Sequence, residues 1–169
     1  MKIIPICFIV PLLLLTACTE DSNNTKNEND ILGLDWYSEK DTVKHKMQNY
    51  NLKSESEEVG AAGEKQTLLE YSDVTLYDRP CDVTLCFTSL GLIGVNYHDA
   101  NGQYEEWKKQ ITNVYGEPTD TSEYGLEEWM ATWENDPLGT GTSIYVFYQE
   151  NNVQISFFTD ETGSEMSPQ

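Results

Sequence analysis

The sequence predicts an α+β domain in which antiparallel β-meanders pack against helices, in the element order α-βββ-α-βββ. Several short segments alternate apolar and polar residues between turn signals, a pattern typical of antiparallel strands. Two other segments repeat apolar residues every three or four positions, as amphipathic helices do. Trp36 and Trp107 each lie at the start of a predicted helix, which makes the two halves candidates for a diverged duplication.

The first helix is predicted between residues 39 and 50. Ser38, followed three positions later by Asp41, matches a variant of the capping box with Asp in place of Glu. Val43 and Met47 lie four positions apart and therefore share one apolar face of the helix.

Three strands are predicted to follow. Residues 51–64 before them favour either a loop or a second short helix. The first strand, within residues 67–77, changes its alternation at residues 72–73, which indicates a β-bulge or a break between two strands. In the second strand, apolar residues alternate with polar ones at Val83, Leu85 and Phe87. The third strand is predicted at residues 92–97.

A second helix and a second meander complete the predicted domain. Gly116 and Pro118 end the helix, as a C′ glycine and a helix-incompatible proline. The apolar positions of this helix are Tyr104, Trp107, Ile111, Val114 and Tyr115. The core-facing positions of the three strands are Trp129, Ala131 and Trp133, then Ile144, Val146 and Tyr148, then Val153, Ile155 and Phe157.

The N-terminus has the pattern of a secretory signal. Lys2 precedes an apolar run at residues 3–15, which as a helix would reach only about 20 Å. A bilayer core of about 30 Å requires about 20 residues, so this run is too short to span it. A short basic segment, a short apolar segment and a small residue at the exit are typical of a signal peptide.

The end of that run, Leu15-Thr16-Ala17-Cys18, resembles the lipobox of bacterial lipoproteins. The resemblance implies that Cys18 receives a thioether-linked diacylglycerol and that signal peptidase II cleaves after Ala17. Two acyl chains anchor a protein stably, since each buried methylene contributes about 0.8 kcal/mol. We therefore expect a protein held by lipid on Cys18 at the extracytoplasmic face of the cell membrane.

These signals predict the domain organisation. Residues 1–17 are the lipoprotein signal peptide, and residues 18–30 are a disordered tether, because residues 19–30 include no apolar side chain that could support a core. Residues 31–160 form one α+β domain of ordinary size. Residues 161–169 form a polar tail.

A second resemblance covers the folded part, in YEEWKKQITNVYGEP, EEWMATWEND and SIYVFYQENNVQISFF. These segments resemble small extracytoplasmic lipoproteins of Firmicutes, and their order of helix, Trp-bearing strand and hairpin is similar to β-lactamase-inhibitor-protein-like and BamE-like domains. The resemblance implies a binding or assembly role without catalysis.

Composition excludes several partners. The chain has 29 acidic and 10 basic residues, and its formal net charge is −19. Such a chain repels nucleic acid, whose phosphates require clusters of Lys and Arg. The acidity favours solubility or a cationic partner.

The cysteines that remain after lipidation are Cys81 and Cys86. An extracytoplasmic location permits a disulfide. Along a strand, however, their Cα atoms would lie about 16 Å apart with the side chains on opposite faces, whereas a disulfide requires about 7 Å or less. We therefore expect two free thiols, unless a tight turn falls between them.

Motifs for catalysis, metals and cofactors are absent from the sequence. His45 and His98 are too few for a zinc site, which needs three or four clustered ligands. Adjacent carboxylates such as Glu105 and Glu106 point in different directions and do not face each other across a cleft, as glycosidases require. We expect no enzyme, no metal and no cofactor.

The aromatic residues are the remaining candidates for a site. Trp107, Trp129 and Trp133 lie on apolar stripes and are expected in the core. Tyr145, Phe147 and Phe158 lie on the opposite face of the predicted sheet. They form a binding patch if that face is uncovered, and part of a core if the first helix covers it.

We therefore predict a lipid-anchored extracytoplasmic binding domain for a protein, glycan or cell-wall ligand. The alternatives are an envelope-assembly or enzyme-inhibitor module and, third, a hydrolase.

Overall fold

The computed structural model describes residues 31–60, 63–123, 128–134, 142–149 and 152–159. The first half forms helix α1 (Lys40–Lys46) and strands β1 (Asn51–Val59), β2 (Lys65–Leu76), β3 (Arg79–Thr88) and β4 (Gly91–Asp99). The second half forms helix α2 (Tyr104–Tyr115) and strands β5 (Asp120–Glu123), β6 (Glu128–Trp133), β7 (Thr142–Gln149) and β8 (Asn152–Thr159). The eight strands form one antiparallel sheet in the order β1-β2-β3-β4-β8-β7-β6-β5.

The predicted class, α+β with packed helices in the order α-βββ-α-βββ, is wrong. The described residues form a mostly β structure in which each half has four strands and one helix. The two strands that the sequence did not predict, β1 and β5, are the edges of the sheet. An edge strand exposed on both faces needs no apolar alternation, so the stretch predicted as a loop or second helix contained no strand signal.

The bulge within β2 is confirmed. The register between β2 and β3 shifts between Tyr71 and Val74, and Asp73 between them has a positive φ of 62°. The extra residue in the bulge shifts the alternation by one position. As a result Tyr71 before the bulge and Val74 after it both point into the core, where both are buried.

The start of α1 differs from the predicted capping box. The helix begins after Glu39, which makes no side-chain cap hydrogen bond. The main chain at residues 37–38 instead pairs with β4: the Tyr37 N–H donates to the Leu92 carbonyl at 2.8 Å, and the Leu92 N–H donates to the Ser38 carbonyl at 3.0 Å. This bridge fixes the helix entry to the sheet, so the side-chain cap is not needed.

The core lies on one face of the sheet, and both helices cover that face. Val43 and Met47 of α1 and Trp107 and Ile111 of α2 belong to a single buried cluster. The strand residues in this cluster include Leu69, Val83, Leu85, Val95, Tyr97, Ile144, Val146, Ile155 and Phe157. The predicted apolar stripe of α2 is therefore confirmed at Tyr104, Trp107 and Ile111, which are buried, and Tyr115 packs against the cluster.

A polar cluster at Trp107 connects the two halves. The Trp107 Nε1–H donates to Asp99 Oδ2 at 2.9 Å, at the end of β4. The Arg79 guanidinium lies 5.1 Å from the centroid of the same ring and pairs with Asp99 and with Glu106 of α2. The start of α2 is thereby held against the open end of the β3–β4 hairpin, where β3 begins and β4 ends.

Candidate functional site

The second face of the sheet carries no helix within the described residues. Alternate side chains of a strand point to opposite faces, and the core cluster accounts for one of them. We call the other the helix-free face. Its cross-strand rows are Leu68, Cys86, Gly94, Phe158 and Ser143; Thr84, Asn96, Ser156, Tyr145 and Thr132; and His98, Gln154, Phe147 and Met130.

The three predicted site residues all lie on the helix-free face, but they differ in exposure. Tyr145 and Phe147 on β7 are half-buried, whereas Phe158 on β8 is buried, with 9% of its surface exposed. A Cβ on Gly94 would come within 2.5 Å of the Phe158 ring, so this ring lies against the glycine. Phe158 therefore supports Tyr145, whose ring it meets edge-on at 6.4 Å, and offers little surface itself.

The centre of the helix-free face is uncharged. The outward positions of β4, β8 and β7 hold Gly, Asn, His, Gln, Ser, Tyr and Phe, with no Asp, Glu, Lys or Arg. Charged residues border this centre: Glu70 and the Lys53–Asp82 ion pair of 2.8 Å on one side, and Glu128 and Asp120 on the other.

A small recess lies in this face, with a cavity volume of about 190 Å³. His98, Phe147, Gln149, Asn152 and Gln154 line it. Burial lowers the pKa of the His98 imidazole, against the opposing effect of nearby carboxylates. The lowered pKa favours the neutral imidazole, whose Nε2 lies 3.4 Å from Thr84 Oγ1.

The core side of the sheet carries a second, larger cleft of about 430 Å³, where β6 begins and β7 ends. Trp129 and Tyr148 are cross-strand neighbours whose rings stack at 4.9 Å with an interplanar angle of 30°. Tyr104, the first residue of α2, stacks on Trp129 at 6.0 Å. Asn101, Gly102, Gln103 and Glu105 complete the lining. We call this site the aromatic cleft.

The aromatic cleft corrects the prediction that Trp129 is a core residue. Trp107 and Trp133 are fully buried, but Trp129 and its neighbour Tyr148 are half-buried. The partial exposure of these residues could have been predicted from their positions in the strands, since Trp129 lies at the beginning of a strand and Tyr148 near the end of one. Strand ends have fewer neighbours than strand centres, so the same apolar stripe is less covered there.

The thiols show no sign of activation. Cys81 and Cys86 are both buried and free, on opposite faces of β3. Burial raises the pKa of the Cys81 thiol to about 11 and that of Cys86 to about 12. Both are therefore protonated at neutral pH, the unreactive form of a thiol. Among the residues with described positions, no group of three or more His, Cys, Asp or Glu side chains could hold a metal ion.

The predicted lipidation site Cys18 lies outside the described residues, as do the predicted signal peptide, tether and tail. No helix in the described ranges is long and apolar enough to cross a membrane. The chain matches no protein-family model, and no curated protein or solved structure is significantly similar to it. The resemblances to lipoproteins and to inhibitor-like domains therefore stay predictions.

Proposed function

We propose that this chain is a lipid-anchored extracytoplasmic binding domain without catalytic activity, and that it binds a protein partner on the helix-free face. The observation that carries the proposal is the uncharged centre of that face in a chain of net charge −19. Burial accounts for the lack of charge at Cys86, Ser143, Ser156 and Phe158. The more accessible positions of this centre are also uncharged, although solubility favours charge there: Asn96, His98, Tyr145, Phe147 and Gln154. A surface kept free of charge, with half-exposed Tyr145 and Phe147 at its middle, has the composition of an interface centre.

The dimensions of the face also fit a protein. Five strands at a spacing of about 4.8 Å give a surface about 20 Å wide. Strands of 8 residues at about 3.4 Å per residue are about 27 Å long, so the face covers about 500 Å². This is the size of a small interface, below the standard of about 800 Å² on each partner. The bordering charges at Glu70, Asp82 and Glu128 correspond to the polar rim that surrounds such a centre and steers the approach of a partner.

The anchor part of the proposal rests on Leu15-Thr16-Ala17-Cys18. We expect the wild-type chain to fractionate with membranes and to carry a diacylglyceryl mass on Cys18. Cys18→Ala is expected to abolish the modification and to release the chain from the washed membrane fraction. Mass spectrometry of the N-terminal peptide and fractionation measure this. A Cys18→Ala chain that still carries lipid would overturn the anchor while leaving the binding face untouched.

The binding face is tested by photo-crosslinking in the producing cells. With p-benzoylphenylalanine at Phe147 we expect a discrete adduct of the chain with one protein. With the same group at Lys109, exposed on α2, we expect none. Equal adducts at both positions, or none at Phe147, would contradict the proposed interface.

Replacing one uncharged residue of the face with a charged residue of the same size tests whether the crosslinked protein binds this face or is only close to it. Asn96→Asp places a charge at the uncharged centre without a change of volume, and we expect at least a tenfold loss of the Phe147 adduct, because an uncompensated charge would be buried on binding. Asn113→Asp makes the same change at an exposed position of α2 and is expected to leave the adduct intact. Equal adduct yields in the two variants would count against the proposal.

A further inference from the structure

The aromatic cleft lies on the core side of the sheet, opposite the proposed protein-binding face, and is a separate feature. Its floor is the stacked pair Trp129 and Tyr148, with Tyr104 packed on both rings at 6.0 and 6.5 Å. An aromatic side chain in the centre of the core is covered on all sides, as Trp133 is. Trp129 and Tyr148 instead keep part of their surface exposed to a cleft of about 430 Å³.

We infer that the aromatic cleft is a binding site for a neutral saccharide. The first argument is shape and volume. About 430 Å³ falls in the range of small-molecule sites. The rings of Trp129 and Tyr148 stack on each other at 4.9 Å, and both residues are only half-buried, so the part of this aromatic pair that is not covered borders the cleft. A pyranose ring has a flat face of C–H groups, and aromatic side chains provide a large, rigid apolar surface for it at a low cost in conformational entropy.

The second argument is the polar lining. Asn101, Gln103 and Glu105 surround the aromatic surface and are exposed. Amide groups both donate and accept hydrogen bonds, and a carboxylate accepts two, which matches adjacent sugar hydroxyls. The Gln103 side chain makes no capping hydrogen bond to α2 and can therefore meet a ligand.

The third argument is electrostatic and excludes anionic ligands. Burial first, and then the carboxylates of Glu105 and Glu123, raise the pKa of Tyr104 to about 12. Those carboxylates place a negative field at the cleft, and Glu105 belongs to its lining. A phosphate or uronate would meet like charge there, whereas a neutral sugar would not.

The ring geometry decides between a neutral ligand and a cation. Cation-binding cages surround their ligand with aromatic faces. At 4.9 Å, Trp129 and Tyr148 are in contact and leave no space between their faces. The Tyr104 ring already has Lys108 Nζ at 5.8 Å from its centroid. An organic cation would compete with the ammonium group of this lysine.

The test uses the full chain in a polyoxyethylene detergent, which carries neither sugar nor charge. The neutral probes are chitotriose, cellotriose and maltotriose, the anionic probe is glucuronate, and the cationic probe is tetramethylammonium. By saturation-transfer NMR we expect transfer from aromatic protons to the ring C–H groups of at least one trisaccharide, and none to glucuronate. Titration of the Trp indole signals then gives the dissociation constant. Transfer to tetramethylammonium with none to the sugars, or no transfer to any probe at about 5 mM, would overturn the inference.

Substitutions locate the site. Trp129→Ala is expected to weaken trisaccharide binding at least tenfold, and Trp129→Phe, which keeps a flat ring, to weaken it less. Gln103→Ala alters an exposed side chain, so it tests the site even if Trp129→Ala fails to fold, and we expect a loss of about threefold or more. Phe147→Ala on the helix-free face is the matched control and should bind sugar as the wild type does.

Unchanged sugar binding in both Trp129→Phe and Gln103→Ala would overturn the assignment of the saccharide site. The crosslinking result at Phe147 is independent of this outcome.

Discussion

Replacing Trp107 with alanine is expected to lower the free energy of unfolding by about 3–5 kcal/mol. The indole is 0% exposed and lies between α2 and the sheet. Its removal would leave a large cavity at the point where the two halves of the chain meet. Against a total stability of about 5–15 kcal/mol for a domain of this size, this loss is about a fifth of the stability or more.

Part of the stability lost in Trp107→Ala comes from the polar contacts of the indole. The Trp107 Nε1–H donates to Asp99 Oδ2, and the Arg79 guanidinium packs on the ring at 5.1 Å. Without the indole, Asp99 loses a hydrogen bond in a partly buried position, and Arg79 loses the surface that orients it toward Asp99 and Glu106. Loss of one partner of a buried polar group contributes about 1–3 kcal/mol.

Urea unfolding followed by far-UV circular dichroism measures the Trp107→Ala effect. The matched control is Trp129→Ala, which removes the same side chain from a half-exposed position and is expected to cost clearly less. If the two substitutions had equal effects, Trp107 would not have the central packing role assigned to it.

Gly91→Ala is expected to lower the free energy of unfolding by about 2–5 kcal/mol, although it adds one methyl group. Gly91 has a φ of +106°, which costs a side-chain-bearing residue about 1–2 kcal/mol. Its Cβ would also lie 2.3 Å from the Tyr37 carbonyl oxygen and 2.8 Å from that of Ser38. Main-chain atoms cannot rotate away, so the bridge from Leu92 to residues 37–38 must open, and such overpacking adds about 1–3 kcal/mol.

The control for Gly91 is Gly116→Ala. Gly116 also has a positive φ, 86°, but a Cβ at this position would have open space around it, with no described atom beyond its chain neighbours within 4 Å. Gly116 has a ψ of −172°, and this combination of φ and ψ is essentially restricted to glycine, so the backbone cost applies without a clash and we expect about 1–3 kcal/mol. The difference between the two variants, measured by denaturant unfolding, isolates the close approach of residues 37–38 to β4. A difference near zero would show that this approach adds nothing to stability.

The sequence predicted the elements that are buried on one side. In β3, β7 and β8, apolar side chains must alternate to fill the core, and in α2 they must recur every three to four residues, so these elements are visible as patterns. The bulge in β2 was visible for the same reason, as a change of phase at residues 72–73. The edge strands β1 and β5 are held mainly by main-chain hydrogen bonds to one neighbour, which any sequence can make.

The candidate sites divide in the same way. Alternation placed Tyr145, Phe147 and Phe158 on one face, because side-chain direction along a strand has period two. It could not show that the Phe158 ring is covered by packing on Gly94, since these residues meet only through the pairing of β4 with β8. The aromatic cleft was not predicted, because Tyr104, Trp129 and Tyr148 come from three elements far apart in the chain.

By itself the sequence determined local and periodic properties: the lipobox-like LTAC, the strong negative charge, the faces of the central strands and the extent of α2. Tertiary structure alone decided that eight strands form one sheet, that both helices cover the same face and that the centre of the other face is uncharged. The physical reason is that periodicity reports which side of an element is buried, whereas neighbours, exposure and clefts depend on long-range pairing, which leaves no local trace.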